Sequence, residues 1–368
     1  MRTSRLKRIA PACLLAASVA LVSTGVIATA AGAAKSAIEK PSAGTVSETG
    51  STLLYPLFNL WSSGYSQKYP SVTIQTAATG SGAGIADATS DTADIGASDA
   101  YLSPAELTAS PALLNIPLAI SAQLITYNIP GVTAHLNLTG KVISSIYQGK
   151  ITNWNASAIA SLNPGVTLPN LPIVTLHRSD SSGDTFLFSS FLSATDPSGW
   201  GKSVGFNTLL TFPNAPGALG EMGNSGMVAG CKAAPGCIAY VGISYLTQAL
   251  QSGLGYAALQ NGAKQFVLPS AASINAEADS FIKKTPANGT ISLIYGSAKG
   301  GYPIINYEYA IVNGKQTSSS TAKDIRSVLE WAVNPLFGNS PSYLAQVNFQ
   351  ALPAKVVAQS LKQIKKIK

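Results

Sequence analysis

Strand-like and helix-like segments alternate along almost the whole chain, and this alternation restricts the fold more than any other feature. Residues 53–69 place Leu53, Leu57, Trp61 and Tyr65 at fourfold spacing, one apolar face of a helix. Pro70 stops that helix, and Val72-Thr73-Ile74 opens a strand. Asp94-Ile95-Gly96-Ala97 reads as a buried strand that ends at Ser98-Asp99. The run Ile116–Ile129 is apolar and extended, as suits a crossing between domains. Beyond it, Thr139–Gln148 and Asp184–Leu192 read as helices, and Ile173–Leu176 and Ile238–Val241 as strands. Near the end, the strand Ile304–Val312 precedes a helix over Thr321–Val333. The pattern predicts α/β domains with largely parallel sheets. There is no internal repeat, and the length exceeds what one core usually serves, so two domains are expected.

The N-terminus is a different kind of segment. Arg2, Arg5, Lys7 and Arg8 are followed by an uncharged, mostly apolar run from Ile9 to about Ile27. Small residues close it at Ala28-Thr29-Ala30 and Ala31-Gly32-Ala33. That is the layout of a secretory signal peptide over 1–30, with a transmembrane anchor as the competing reading. Cys13 sits at the start of the apolar run rather than after it, so it is expected to leave with the signal and not to carry a lipid. A small, polar, flexible leader over 31–45 follows. The product is exported, to the extracellular or cell-envelope side of the cytoplasmic membrane.

In an oxidising compartment Cys231 and Cys237, six positions apart, read as a small structural disulfide. A metal site would need more ligands than the two histidines, His135 and His177, provide. The formal net charge is +8, but four cations belong to the signal, which leaves +4 for the rest. Charged residues make up only 11% and form no basic stripe with interleaved aromatics, which argues against nucleic acid. The lysine-rich end alternates with Val356, Val357, Leu361 and Ile364, an amphipathic helix with a solvated face. Adhesion to an anionic wall or membrane is the other reading of those lysines.

Four turns share a composition of small hydroxyl and glycine residues where a strand gives way to a helix. They are Gly50-Ser51-Thr52-Leu53, Gly80-Ser81-Gly82, Ser98-Asp99 and Ser182-Gly183-Asp184-Thr185. The first N–H groups of a helix lack internal partners and lie at its positive end, so such places take oxyanions. Any one of these turns alone is equally a capped helix; together, with Arg178 close by, they point to an anion site. Arg178 brings a planar fork that matches phosphate oxygens, or else forms an ion pair with Asp180. A carboxylate beside a bound anion repels it unless the anion carries a proton. Asp99 is therefore read as the acceptor of a phosphate proton and the residue that rejects sulfate; the alternative is a helix cap.

These segments, with His177–Phe186, Tyr302–Tyr309 and Gly236–Gly242, resemble in order and spacing the phosphate-binding proteins of bacterial phosphate importers, the PstS family, in its mycobacterial form. The resemblance spans nearly the whole mature chain. It implies a type II periplasmic-binding-protein fold, two α/β lobes joined by a two-segment hinge with phosphate in the cleft. Lobe I would comprise 46–126 and 302–368, and lobe II 127–301. It implies that Ser51, Thr52, Leu53, Ser81, Ser182 and Gly183 donate, that Arg178 supplies charge and that Asp99 accepts. Asp184 stands where many members have Thr, and it is expected to accept a second phosphate proton, with pairing to Arg178 as the alternative. The implied partners are inorganic phosphate, two permease subunits and an ATPase; a monomer without cofactor or metal is expected. The competing classes are a secreted phosphatase-like hydrolase and a surface adhesin or antigen. A serine hydrolase would have to use His135 or His177 as base, and no Gly-x-Ser-x-Gly elbow occurs.

Overall fold

The computed structural model describes residues 38–368. The signal segment, Cys13 and the first part of the leader lie outside those residues. Strand β1 (Gly44–Gly50) runs parallel to β2 (Val72–Ala78) and β3 (Ile95–Ser98). Between them, helix α1 (Tyr55–Lys68) buries Leu57, Trp61 and Tyr65, as their fourfold spacing announced, and Phe58 as well; Leu53 is buried in the turn before it. Helix α2 (Ser81–Thr89) follows β2 and packs against β3.

Strand β4 (Leu113–Tyr127) joins the lobes. It is 15 residues long and buried almost throughout. Its first part, Leu113–Ala122, pairs with the late strand β8 (Ile305–Asn313), and Gln123–Tyr127 pair with β7 (Cys237–Gly242). In the second lobe, β5 (Val174–Arg178) lies parallel to both β7 and the short β6 (Leu219–Glu221). Helices α3 (Gly183–Thr195) and α4 (Gly223–Ala233) complete the part of this lobe that concerns the site. The chain returns beside β4: the Tyr302 hydroxyl donates to the Gln123 carbonyl at 2.7 Å, and the Gln123 N–H donates to the Ile304 carbonyl at 3.1 Å. The hinge is therefore two adjacent strands, β4 outward and the entry to β8 inward.

Three expectations change. The sheet is parallel only in its outer parts; β8 pairs antiparallel with β3 and β4, and β4 antiparallel with β7. A strand leaving one lobe and a strand returning to it must run in opposite senses. Next, the leader is packed from Ile38 onward. Glu39 pairs with Arg326 at 2.7 Å, and the Ser327 hydroxyl donates to the Glu39 carbonyl at 2.6 Å. The Ser42 N–H donates to Asp324 at 2.5 Å. All three partners lie on helix α6 (Ser319–Ala332), which supplies the contacts that small polar residues could not announce. Finally, helix α5 (Ala271–Asp279) and the chain to Ile291, expected in lobe II, return to lobe I. The Tyr309 hydroxyl donates to the Gly289 carbonyl at 3.0 Å, and Gln363 donates to the Ala287 carbonyl at 2.8 Å.

Cys231 and Cys237 are disulfide-bonded and buried, tying the end of α4 to the start of β7. The terminal helix α7 (Ala354–Ile364) buries Val356, Val357 and Ile364 and leaves its lysines in solvent. No helix among the described residues is long and apolar enough to cross a membrane.

Candidate anion-binding site

The ends of β1, β2 and β3 meet at one point because two glycines turn the chain back on itself. Gly50 (φ 138°) and Gly80 (φ 95°) adopt backbone angles that a side chain would strain. The N–H groups of Thr79 and Gly80 donate to the Gly50 carbonyl at 2.9 and 2.7 Å. The Ser51 N–H donates to the Ala97 carbonyl at 2.9 Å. This knot places Ser51 and Ser81 beside Asp99, which follows β3. The Ser51 hydroxyl bonds one Asp99 oxygen, and the Ser81 hydroxyl lies 3.3 Å from the other.

The second lobe brings Arg178 from the end of β5 and the first turn of α3. Ser182 caps α3, its hydroxyl oxygen accepting from the Asp184 N–H at 3.0 Å. The lobes touch here: the Gly82 N–H donates to the Ser181 carbonyl at 3.1 Å, and Arg178 Nη1 donates to Thr52 Oγ1 at 3.2 Å. A Cβ on Gly183 would sit 2.5 Å from Ser81 Oγ, so only glycine permits this approach.

Every predicted residue lies in or against this cluster, but their roles divide. The N–H groups of Thr52, Leu53, Ser81 and Gly183 find no acceptor among the described residues, and all four residues are buried. The hydroxyl protons of Thr52 and Ser182 are likewise uncommitted: Thr52 Oγ1 only accepts, from Arg178 and from Asn224 at 2.9 Å. Ser51 is committed, its N–H to Ala97 and its hydroxyl to Asp99, so it orients Asp99 rather than meeting a ligand.

Arg178 is buried and holds Asp180 through Nε at 2.6 Å and through Nη2, and Asp184 through Nη1 at 3.1 Å. It is thus the buried centre of an ion cluster, not a surface pair. Asp184 receives, besides Arg178, Asn224 at 2.6 Å and Gln123 at 3.1 Å. Of the two readings of Asp184, the arrangement has the pairing with Arg178: Oδ2 accepts from Arg178 and Asn224, and Oδ1 from Gln123. Burial pushes the Asp184 carboxyl up, against Arg178, Gln123 and Asn224, which favour its charge. Burial also acts on Asp180, but Arg178 holds it below the usual carboxylate range. Burial and then the charge of Asp184 push the Asp99 carboxyl up to about 7.

Gln123, Asn224 and Glu308 escaped the sequence reading. Asn224 follows a glycine at a helix start, the same type of turn as the four recognised ones, so a signal existed. Gln123 and Glu308 are polar residues inside apolar strand runs, and Ser121, Asn306 and Glu308 form a buried polar patch beneath Asp99. His135 packs against Tyr256 and His177 stacks on Phe212; neither imidazole hydrogen-bonds a serine among the described residues.

Two hinged α/β lobes closing uncommitted N–H and O–H donors around a buried arginine define a solute-binding protein of the type II periplasmic class. The PBP superfamily domain model matches residues 35–335. The phosphate-binding protein PstS of Xylella fastidiosa (strain Temecula1) is 32% identical over 338 residues, 92% of this chain and 89% of that protein. PstS3 of Mycobacterium bovis is 32% identical over 304 residues, 78% of each. A solved phosphate-binding protein from Stenotrophomonas maltophilia shares the fold, with TM-score 0.67 at 19% identity, covering 86% of this chain and 93% of that one. The chain belongs to the PstS family of phosphate-binding proteins.

Proposed function

We propose that this protein captures inorganic phosphate outside the cytoplasmic membrane and delivers it, as a monomer, to two permease subunits and an ATPase of an ABC importer. The observation that carries this reading is the set of four buried N–H groups, at Thr52, Leu53, Ser81 and Gly183, without acceptors among the described residues. A buried, unpaired N–H costs about 1–3 kcal/mol, so a protein keeps four together where an oxyanion completes them. Arg178 and the hydroxyls of Thr52 and Ser182 add positive charge and further donors. Asp99 selects among oxyanions: it accepts the proton of hydrogen phosphate or dihydrogen phosphate and repels sulfate, which carries none. The names of the family's members support phosphate as the ligand, and nothing in the cluster supplies the serine–imidazole pair of a hydrolase. Titration calorimetry of the purified protein with phosphate and with sulfate tests the reading. Tight phosphate binding with sulfate weak or undetected is expected; equal affinities would overturn it.

A further inference from the structure

The buried acid Glu308 has no part in the reading above, and its surroundings give it one. Strand β8 pairs with β3 through Tyr309 and Ser98, so the antiparallel register sets Glu308 beside Asp99. Glu308 is fully buried. One of its oxygens, Oε1, accepts from the Ser121 hydroxyl and from Asn306 at 3.0 Å. Asn306 also donates to the Asp99 carbonyl at 3.3 Å, which locks the two backbones together. The other oxygen, Oε2, is buried and meets no donor among the described residues, and the strand register makes the Asp99 carboxyl the acidic neighbour of the side chain.

Two carboxyl groups in contact away from water hold one proton between them. Their partners decide where it sits. Asp99 has the hydroxyls of Ser51 and Ser81 and the charge of Arg178 to favour its ionised form. Among the described residues Glu308 has only Ser121 and Asn306, both on one oxygen, and no cation. We propose that Glu308 is a positioning residue for phosphate recognition: as a neutral carboxylic acid it donates a hydrogen bond to Asp99, holding that carboxylate charged and turned to accept the proton of the ligand. This rests on the reading that Asp99 receives phosphate.

The other charged groups nearby act through Asp99. The second lobe presents Arg178 and Asp184, and β4 presents only the neutral Ser121. On α2, Asp87 turns away to Thr92, and on α5, Glu277 lies under Gly296 and Gly301. Within β8, the Tyr309 hydroxyl is spent on the Gly289 carbonyl. Burial and then Asp99 raise the Glu308 carboxyl well above its ordinary value, in keeping with a retained proton.

Glutamine reproduces the protonated acid and not the ionised one. Its carbonyl accepts from Ser121 and Asn306, and its amide donates to Asp99. Phosphate affinity is measured by calorimetry from about pH 6 to about pH 10 for the intact protein, Glu308→Gln and Glu308→Leu. Removing the donor in Glu308→Leu is expected to weaken binding by roughly 10- to 100-fold, and Glu308→Gln to recover most of that loss. In the intact protein, ionisation of Glu308 adds a second charge beside Asp99, so affinity falls by up to about tenfold per pH unit on the alkaline side. Glu308→Gln lacks that extra fall. The ionisation of phosphate itself acts equally on both proteins and cancels in the comparison. Difference infrared spectroscopy is expected to show a carboxylic-acid band in the intact protein that disappears in Glu308→Gln. An alkaline fall retained in Glu308→Gln, failure of that variant to fold, or no such band would each overturn the proposal. An intact protein that shows the band but binds no phosphate would sink the phosphate reading and leave the proton on Glu308.

Discussion

Replacing Asp99 with Asn tests the basis of selectivity, because it removes a charge and keeps the shape. The asparagine carbonyl still accepts from the Ser51 or Ser81 hydroxyl, so the turn around residue 99 persists. What is lost is the ionised acceptor for the ligand's proton. A hydrogen bond to a charged group contributes about 1.5–3 kcal/mol, so phosphate should bind roughly 10- to 150-fold more weakly. Sulfate brings no proton, meets less repulsion and should bind more tightly than before. Calorimetry with the two anions reads both changes, and the ratio of affinities is the decisive number. The stability of the ligand-free protein gives a second readout. Folding raises the Asp99 carboxyl from 3.8 to about 7, so the folded state holds the proton more tightly than the unfolded chain. Stability is therefore lost as pH rises through that window, by at most roughly 4 kcal/mol. Asn carries no such penalty, and Asp99→Asn should melt higher than the intact protein at pH 8 and much as it does at pH 4. A phosphate-to-sulfate preference unchanged by the substitution would refute the argument.

Arg178→Met leaves Asp184 buried without its cation and should destabilise the protein by about 3–5 kcal/mol in urea denaturation; Arg178→Met with Asp184→Asn should recover part of this without restoring phosphate binding. A double variant no more stable than the single one would dissolve the ion cluster as an explanation. Gly183→Ala introduces a Cβ that overlaps Asp99 and lies 2.5 Å from Ser81 Oγ. Overpacking of this kind costs about 1–3 kcal/mol, so phosphate affinity should fall roughly 5- to 150-fold, with thermal stability nearly unchanged if the loss lies in closure. Glu48 is buried in lobe I with Oε1 unpartnered among the described residues, and burial, opposed by Thr76, pushes its carboxyl up to about 8. Stability is lost as pH rises from the carboxyl's ordinary value of 4.5 to about 8 and levels off above that, so Glu48→Gln should raise the melting temperature more at pH 9 than at pH 5, as scanning calorimetry would show.

What could be read without coordinates was local. The fourfold spacing of Leu57, Trp61 and Tyr65 is a property of one helix, and helix α1 buries those residues. Three of the four turns marked where helices begin and carry the uncommitted N–H groups; Ser98-Asp99 opens no helix, the next one starting at Pro104, and the Asp99 N–H donates to Ser81 Oγ at 3.2 Å. Cys231 and Cys237 lie near enough in sequence that their bond follows from compartment and spacing. The family pattern added the order of the segments and with it the two-lobed fold.

The roles inside the cluster were decided by partners far away in the chain. Asn224 meets Thr52 across 172 positions, Gln123 meets Asp184 across 61, and Ser121 meets Glu308 across 187. No period or turn encodes such pairs. Without them, Asp184 looks like a ligand for phosphate and Ser51 like a donor to it. With them, Asp184 is spent on Arg178, and Ser51 is spent on Asp99. The packed leader and the return of Ala271–Ile291 to lobe I have the same origin, in side chains from the last quarter of the sequence. Amino-acid sequence determined where donors stand, because a helix start and a glycine turn are made by neighbours. Tertiary structure decided which donors remain free for a ligand, because a buried polar group bonds whatever packing brings within reach.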